Sequence, residues 1–123
     1  MQQITLIQPD DFHVHFRDGV MLTRTVKDTA MFFRRAIAMP NLNPPIRIVS
    51  EAKAYEKRIQ SAIPKGVDFT PLMSLYLTDE TTPNCVKEAK RAGIIGFKLY
   101  PAHATTHSQF GVTHIEKLDP VFE

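Results

Sequence analysis

Short apolar runs alternate along this chain with helix-length segments of 3.6-residue periodicity, and no other feature constrains the fold as tightly. A strand, helix, strand, helix order needs crossover connections, and those make the strands parallel. The first strand is expected over Asp11–Phe16, closed by the turn signal Asp18-Gly19. A helix follows from about Met21 to Phe33, with Leu22, Val26, Ala30 and Phe33 at helical spacing. Ala36–Met39 is a second short strand that stops at Pro40, and the loop after it is stiffened by Pro44-Pro45. Ser50 is placed to cap a helix that begins at Glu51 and runs through Ala54, Tyr55, Ile59 and Ala62 towards Pro64 and Gly66.

A third strand is expected over Phe69–Leu77, with Pro71 restricting its early part to an edge or irregular position. Thr81 or Thr82 before Pro83 reads as an N-cap with proline in the first helical turn, and the helix through Val86–Ala92 ends at Gly93. Ile94–Tyr100 is the fourth strand. A polar loop, Pro101–Val112, comes next, and a helix is expected to start near Thr113.

Four strands with about three helices make half of a βα barrel, a fold that takes about 250 residues when closed. Half a barrel leaves two open parallel edges, which proteins rarely tolerate. The 123 residues are therefore expected to form the N-terminal part of one barrel domain in a longer chain, truncated here at Glu123.

Composition removes other classes. Hydrophobic residues at 43% and charged residues at 23% suit a packed core rather than disorder. A net charge of +2 without a run of like charges gives no footprint for nucleic acid or a membrane surface. No apolar stretch approaches a bilayer span, and Met1 leads into Gln-Gln-Ile-Thr rather than a signal segment. With Cys85 as its single cysteine, the chain is expected in the reducing cytoplasm.

Within this frame a few residues carry chemistry. His13 and His15 are two apart on a strand, so both imidazoles face one side, where two nitrogens can converge on a metal. The plainer alternative is a pair of half-exposed strand histidines. Position favours the metal, because the pair precedes a loop at the end of a strand, where barrel enzymes place catalytic groups. Arg17 continues the same parity if the strand persists, and its planar fork suits a carboxylate, although a surface pair with Asp18 would also account for it. Asn41 follows the second strand among prolines and suits a substrate carboxylate or carbonyl. It also suits an ordinary turn, as does Asn43.

Lys98 is the least ordinary residue. It sits in a strand expected to be buried on both faces, where an unpaired ammonium is costly. An ion pair, a neutral nucleophilic amine, or reaction of that amine with carbon dioxide to an anionic carbamate would each resolve the cost. The loop after it is a candidate lid. His103 and His107 lie on that loop and read as loop residues rather than metal ligands, while Cys85 reads as a packed or idle thiol.

Four stretches then line up in order: Asp11–Gly19 (DFHVHFRDG), Met39–Pro45 (MPNLNPP), Asp68–Met73 (DFTPLM) and Lys98–Thr106 (KLYPAHATT). Together they resemble the successive motifs of the dihydroorotases, of the compact bacterial type within the amidohydrolase superfamily. The resemblance covers nearly the whole chain. It implies the N-terminal half of a (β/α)8 TIM-type barrel of the metal-dependent hydrolase kind, which cyclises N-carbamoyl-L-aspartate reversibly to L-dihydroorotate in de novo pyrimidine synthesis.

By the same resemblance, His13 and His15 bind the more buried of two zinc ions, with His15 also at the substrate. Lys98, carboxylated, bridges the two zincs and is the catalytic residue of this stretch. Arg17 and Asn41 hold the substrate carboxylate, and Thr105 and Thr106 are lid threonines. The family's remaining metal histidines and its catalytic aspartate come from later strands, so residues 1–123 alone are expected to be inactive. Pairing into a homodimer is expected of the full-length protein. His103 and His107 depart from the small or amide residues expected at their places. Other cyclic amidohydrolases, such as hydantoinases and allantoinases, would share the histidine pair and the lysine, but Arg17, Asn41 and the threonines point to a carboxylate-bearing substrate. An inactive scaffold homologue would be expected to have lost His13, His15 or Lys98.

Overall fold

The computed structural model describes residues 2–104 and 108–123. Its centre is a four-stranded sheet in the order β1 (Asp10–Val14), β2 (Arg35–Ala38), β3 (Thr70–Tyr76), β4 (Gly96–Lys98), with every pairing parallel. Helices α1 (Leu22–Ala30), α2 (Val49–Ala62) and α3 (Pro83–Arg91) make the crossovers, and a short α4 (Asp119–Phe122) follows. Consecutive strands are neighbours, as in the first half of a βα barrel.

Alternation along the strands sorts residues between two faces. Ala36, Ala38, Met73 and Leu75 turn outward to the helices, where they meet Leu22, Val26 and Ala30 of α1 and Ala52, Tyr55 and Ile59 of α2 in the main core. The alternate set, His13, Ile37, Ser74 and Lys98, lines a cavity of about 230 Å³ on the opposite face. Ser74 is buried there and satisfies its hydroxyl by donating to the Ala38 carbonyl at 2.6 Å.

Most element ends follow the local chemistry. The Thr82 hydroxyl accepts from the Cys85 amide at 3.3 Å with Pro83 in the first turn of α3, a cap worth about 1 kcal/mol. Gly93 ends that helix with φ +77°. Pro71 lies in β3 paired only to Ala36 of β2, because β4 joins the sheet from Ser74 onward, so the proline occupies the irregular position expected of it.

Three expectations are corrected. Ser50 does not cap α2: the helix begins at Val49, and the Glu51 carboxylate reaches back to accept from the Arg47 and Ile48 amides at 2.6 and 3.3 Å. The fourth strand spans Gly96–Lys98 rather than Ile94–Tyr100, and neither face is fully covered. Ile95 and Leu99 are exposed, and Lys98 is half-buried, with no further strand beside β4 among the described residues. Residues 115–118 form a 3-10 turn leading into α4, so the helix expected near Thr113 starts later. Among the described residues, no helix is long and apolar enough to cross a membrane.

Candidate metal and substrate site

The C-terminal ends of β1 and β4 bring the sequence candidates together. His13 is exposed on β1 and His15 is half-buried just beyond it, and their Nε2 atoms lie 3.3 Å apart. The ring centroids are 5.2 Å apart at a 45° tilt, so the nitrogens rather than the ring faces converge. Two imidazoles on one tetrahedral zinc, each bonded at 2.0–2.1 Å, would hold their nitrogens about 3.3 Å apart. The residues present therefore fit two ligands of such an ion. Burial, followed by the charges of Arg17, His13 and Lys98, holds the His15 pKa below its usual 6.5 and favours the neutral, ligating form.

Lys98 lines the same cavity as His13, across the sheet. Among the described residues no carboxylate pairs with it, which leaves the ion-pair alternative without a partner, and its Nζ lies 5.3 Å over the Tyr100 ring. Among the described residues there is no cluster of three or more histidine, cysteine or acidic side chains arranged for a metal. His103 is exposed and joins no such group, and its backbone carries φ +63°. Cys85 is half-buried at the start of α3, where its sulfur accepts from the Thr82 hydroxyl, as suits a packed thiol. Thr105, Thr106 and His107 lie outside the described residues.

Arg17 reaches the site by a different route from the one its parity suggested. Strand β1 stops at Val14, with a register shift between Asp11 and Val14, and Arg17 adopts a left-handed backbone at φ +63°. That conformation costs a non-glycine residue about 1–2 kcal/mol, and its neighbours hold it. Phe16 is fully buried, and its carbonyl accepts from the Thr25 hydroxyl at 2.6 Å. The Arg17 carbonyl accepts from the Tyr55 hydroxyl at 2.5 Å. Asp18 pairs with Arg58 at 2.7 and 3.1 Å rather than with Arg17, so the surface-pair alternative falls and the Arg17 side chain stays available.

Arg17 shares a cavity of about 380 Å³ with Asn41, Asn43, Pro44 and Arg58. Asn41 is 6% exposed, and among the described residues its buried Oδ1 has no hydrogen-bond partner, a costly state that a ligand N–H would relieve. Asn43 lines the cavity through a loop whose Asn43–Pro44 peptide is cis.

The sequence reading missed the supports behind these groups. Tyr55 sits at core spacing in α2 between Ala52 and Ile59, and only its hydroxyl, which a buried tyrosine must satisfy, signalled a second task. Asp79 was also missed. It accepts from the Thr113 amide and hydroxyl at 2.9 and 2.5 Å and from Lys117 at 2.6 Å, fastening the segment that follows the loop after β4. Gly111 is required at that loop's base, where a Cβ would strike the Tyr100 carbonyl oxygen.

Comparison with known proteins follows the same lines. No family model matches the chain. Dihydroorotase from Neisseria meningitidis is 56% identical over 123 residues, all of this chain and 36% of the relative. Dihydroorotase from Picosynechococcus is 55% identical over 124 residues, again covering the whole chain and 36% of the relative. The chain thus spans about a third of the length of the curated relatives it matches.

Among solved structures, dihydroorotase from Campylobacter jejuni superposes with a TM-score of 0.84 at 42% identity, covering 92% of this chain and 33% of that one. Dihydroorotase from Saccharomyces cerevisiae, in complex with 5-fluoroorotic acid, gives 0.83 at 36% identity, covering 93% and 32%. An L-hydantoinase from Arthrobacter aurescens gives 0.67 at 16% identity, covering 94% and 26%, and shares the fold alone. In sequence over its full length, and in backbone over nearly all of it, the chain is similar to the N-terminal part of the dihydroorotases.

Proposed function

We propose that these residues form the first half of a single barrel domain in a two-zinc dihydroorotase, which closes N-carbamoyl-L-aspartate reversibly to L-dihydroorotate in pyrimidine synthesis. The observation that carries the reading is the convergence of His13 and His15 at 3.3 Å, with Lys98 on the same cavity and Arg17 and Asn41 on the next. His13 and His15 would hold one zinc and a carboxylated Lys98 would bridge it to a second. When bound, the metals supply Lewis acidity at the ring amide and lower the pKa of water.

The chain's own residues account for binding and orientation. The Arg17 guanidinium offers a planar pair of N–H donors to the substrate carboxylate, a match that a point charge does not reproduce. Asn41 adds its Nδ2 to the same carboxylate and keeps Oδ1 for a substrate N–H, which would pair the orphaned acceptor. The yeast relative's complex with 5-fluoroorotic acid agrees with a ring ligand bearing a carboxylate. Thr105 and Thr106 would close over the bound ring and exclude water. A cytoplasmic location and pairing into a homodimer belong to the same proposal.

The test is turnover by the complete gene product, loaded with zinc, on L-dihydroorotate, hydantoin and allantoin in parallel. Preferred opening of dihydroorotate is expected. Faster turnover of hydantoin or allantoin would assign the site to another cyclic amidohydrolase. Purified residues 1–123 should show no turnover, because two histidines and one lysine are too few ligands for two zinc ions.

A further inference from the structure

The left-handed backbone at Arg17 is held on its carbonyl side from α2, the helix that also sends Glu51, Ala54 and Arg58 to the wall of the cavity shared by Arg17 and Asn41. Tyr55 is 1% exposed in α2, and its hydroxyl donates to the Arg17 carbonyl at 2.5 Å. One turn on, Arg58 grips Asp18, the next residue after Arg17, through both carboxylate oxygens at 2.7 and 3.1 Å. Its guanidinium also lies 5.2 Å over the Tyr55 ring, so the two helical residues support each other. Asp18 closes the set by accepting from the Gly19 amide at 2.9 Å, which fixes the turn that leads into α1.

We infer that Tyr55 is a positioning residue for substrate recognition: with Arg58 and Asp18 it locks the backbone at the Arg17 carbonyl and just after it, and so aims the guanidinium into the cavity shared with Asn41. The inference rests on the dihydroorotase reading and adds to it Tyr55, which lines neither the cavity of His13 and Lys98 nor that of Arg17 and Asn41. A freed Arg17 would relax towards an ordinary backbone conformation and swing its side chain away from the carboxylate. The loss would then fall on ground-state binding and leave the reacting centre intact.

Tyr55→Phe removes the hydroxyl and keeps the ring that fills the core. In the complete, zinc-loaded gene product, KM for dihydroorotate should rise about fivefold, the size expected for one lost hydrogen bond, while kcat stays within about twofold. Zinc content should not move, and the thermal midpoint should fall by only the few degrees that one lost hydrogen bond explains. Arg58→Lys, which keeps a cation on the cavity wall but loses the two-oxygen grip on Asp18, should raise KM about threefold in the same pattern. The second variant decides the matter if the first fails to fold. An unchanged KM in the folded variants, or parallel losses of kcat, zinc and thermal stability, would overturn the inference and make Tyr55 a core residue only. A wild-type protein that leaves dihydroorotate untouched would overturn the dihydroorotase reading and this inference with it, and that result is visible before any variant is made.

Discussion

The Nε2 atoms of His13 and His15 stand 3.3 Å apart, the separation that a single tetrahedral zinc would impose on two imidazoles bonded to it. Without such an ion the distance is long for a hydrogen bond between rings, whose N–H contacts centre on about 2.9–3.0 Å. Replacing either histidine by alanine in the complete gene product should lower bound zinc by at least one ion per chain, read by elemental analysis after dialysis. Full zinc content in both variants would leave the pair without a metal role.

How much of this was legible in the residues depended on how local the cause was. The strand period alone put His13 and His15 on one side, and Thr82-Pro83 announced the start of α3 through chemistry contained within four residues. Arg17 lines the cavity with Asn41, but not through the parity expected of it, since parity fails where β1 stops. Its conformation depends on Tyr55, 38 residues away. Ser50 was a reasonable cap, yet Glu51 reaches two amides with one longer side chain and wins. The burial assumed for Lys98 depends on a neighbour to β4 that these residues do not supply. Periodicity reports which face a side chain takes, and it carries no information about partners distant in sequence.

Arg17→Lys tests whether the fork or only the charge matters. Lysine keeps the cation but replaces two coplanar donors with a mobile ammonium. KM for dihydroorotate in the complete gene product should rise about tenfold or more, with zinc content unchanged. Zinc loss at unaltered substrate affinity would make Arg17 a structural residue.

Asp79 gives a prediction independent of catalysis. Its hydrogen bonds from Lys117 and from the Thr113 hydroxyl and amide hold its pKa at about 2, below the ordinary 3.8. A depressed carboxylate stabilises the fold above its unfolded pKa, and that contribution is lost as pH falls through the folded value. The clamp on Thr113 and Lys117 should therefore persist at pH 4 and weaken only as pH falls from about 4 towards 2. NMR titration of the Asp79 carboxyl carbon should give a midpoint near 2 in the wild type, and Lys117→Met should move it upward. A wild-type midpoint near 4 would show that the contacts are not held in solution.

Lys98 provides the last test. It is half-buried on β4, faces the cavity that His13 also lines, and among the described residues has no carboxylate to pair with. Nearby Arg17 and His15 offer it no counter-charge. An anionic group at Nζ would fit this setting better than an ammonium, since it could bridge two divalent cations whose charge dominates the local electrostatics. Carbon dioxide provides a route: the neutral amine forms an N–C bond to it and releases one proton, leaving a carbamate. Lys98→Ala in the complete gene product should lose one of the two zinc ions and nearly all activity, and added acetate or propionate should restore part of both by filling the vacated bridge. Lys98→Gln, which keeps the length without the amine, should be equally inactive. The proposal fails if a bare ammonium is seen at Lys98 at high resolution in a fully active protein holding two zincs.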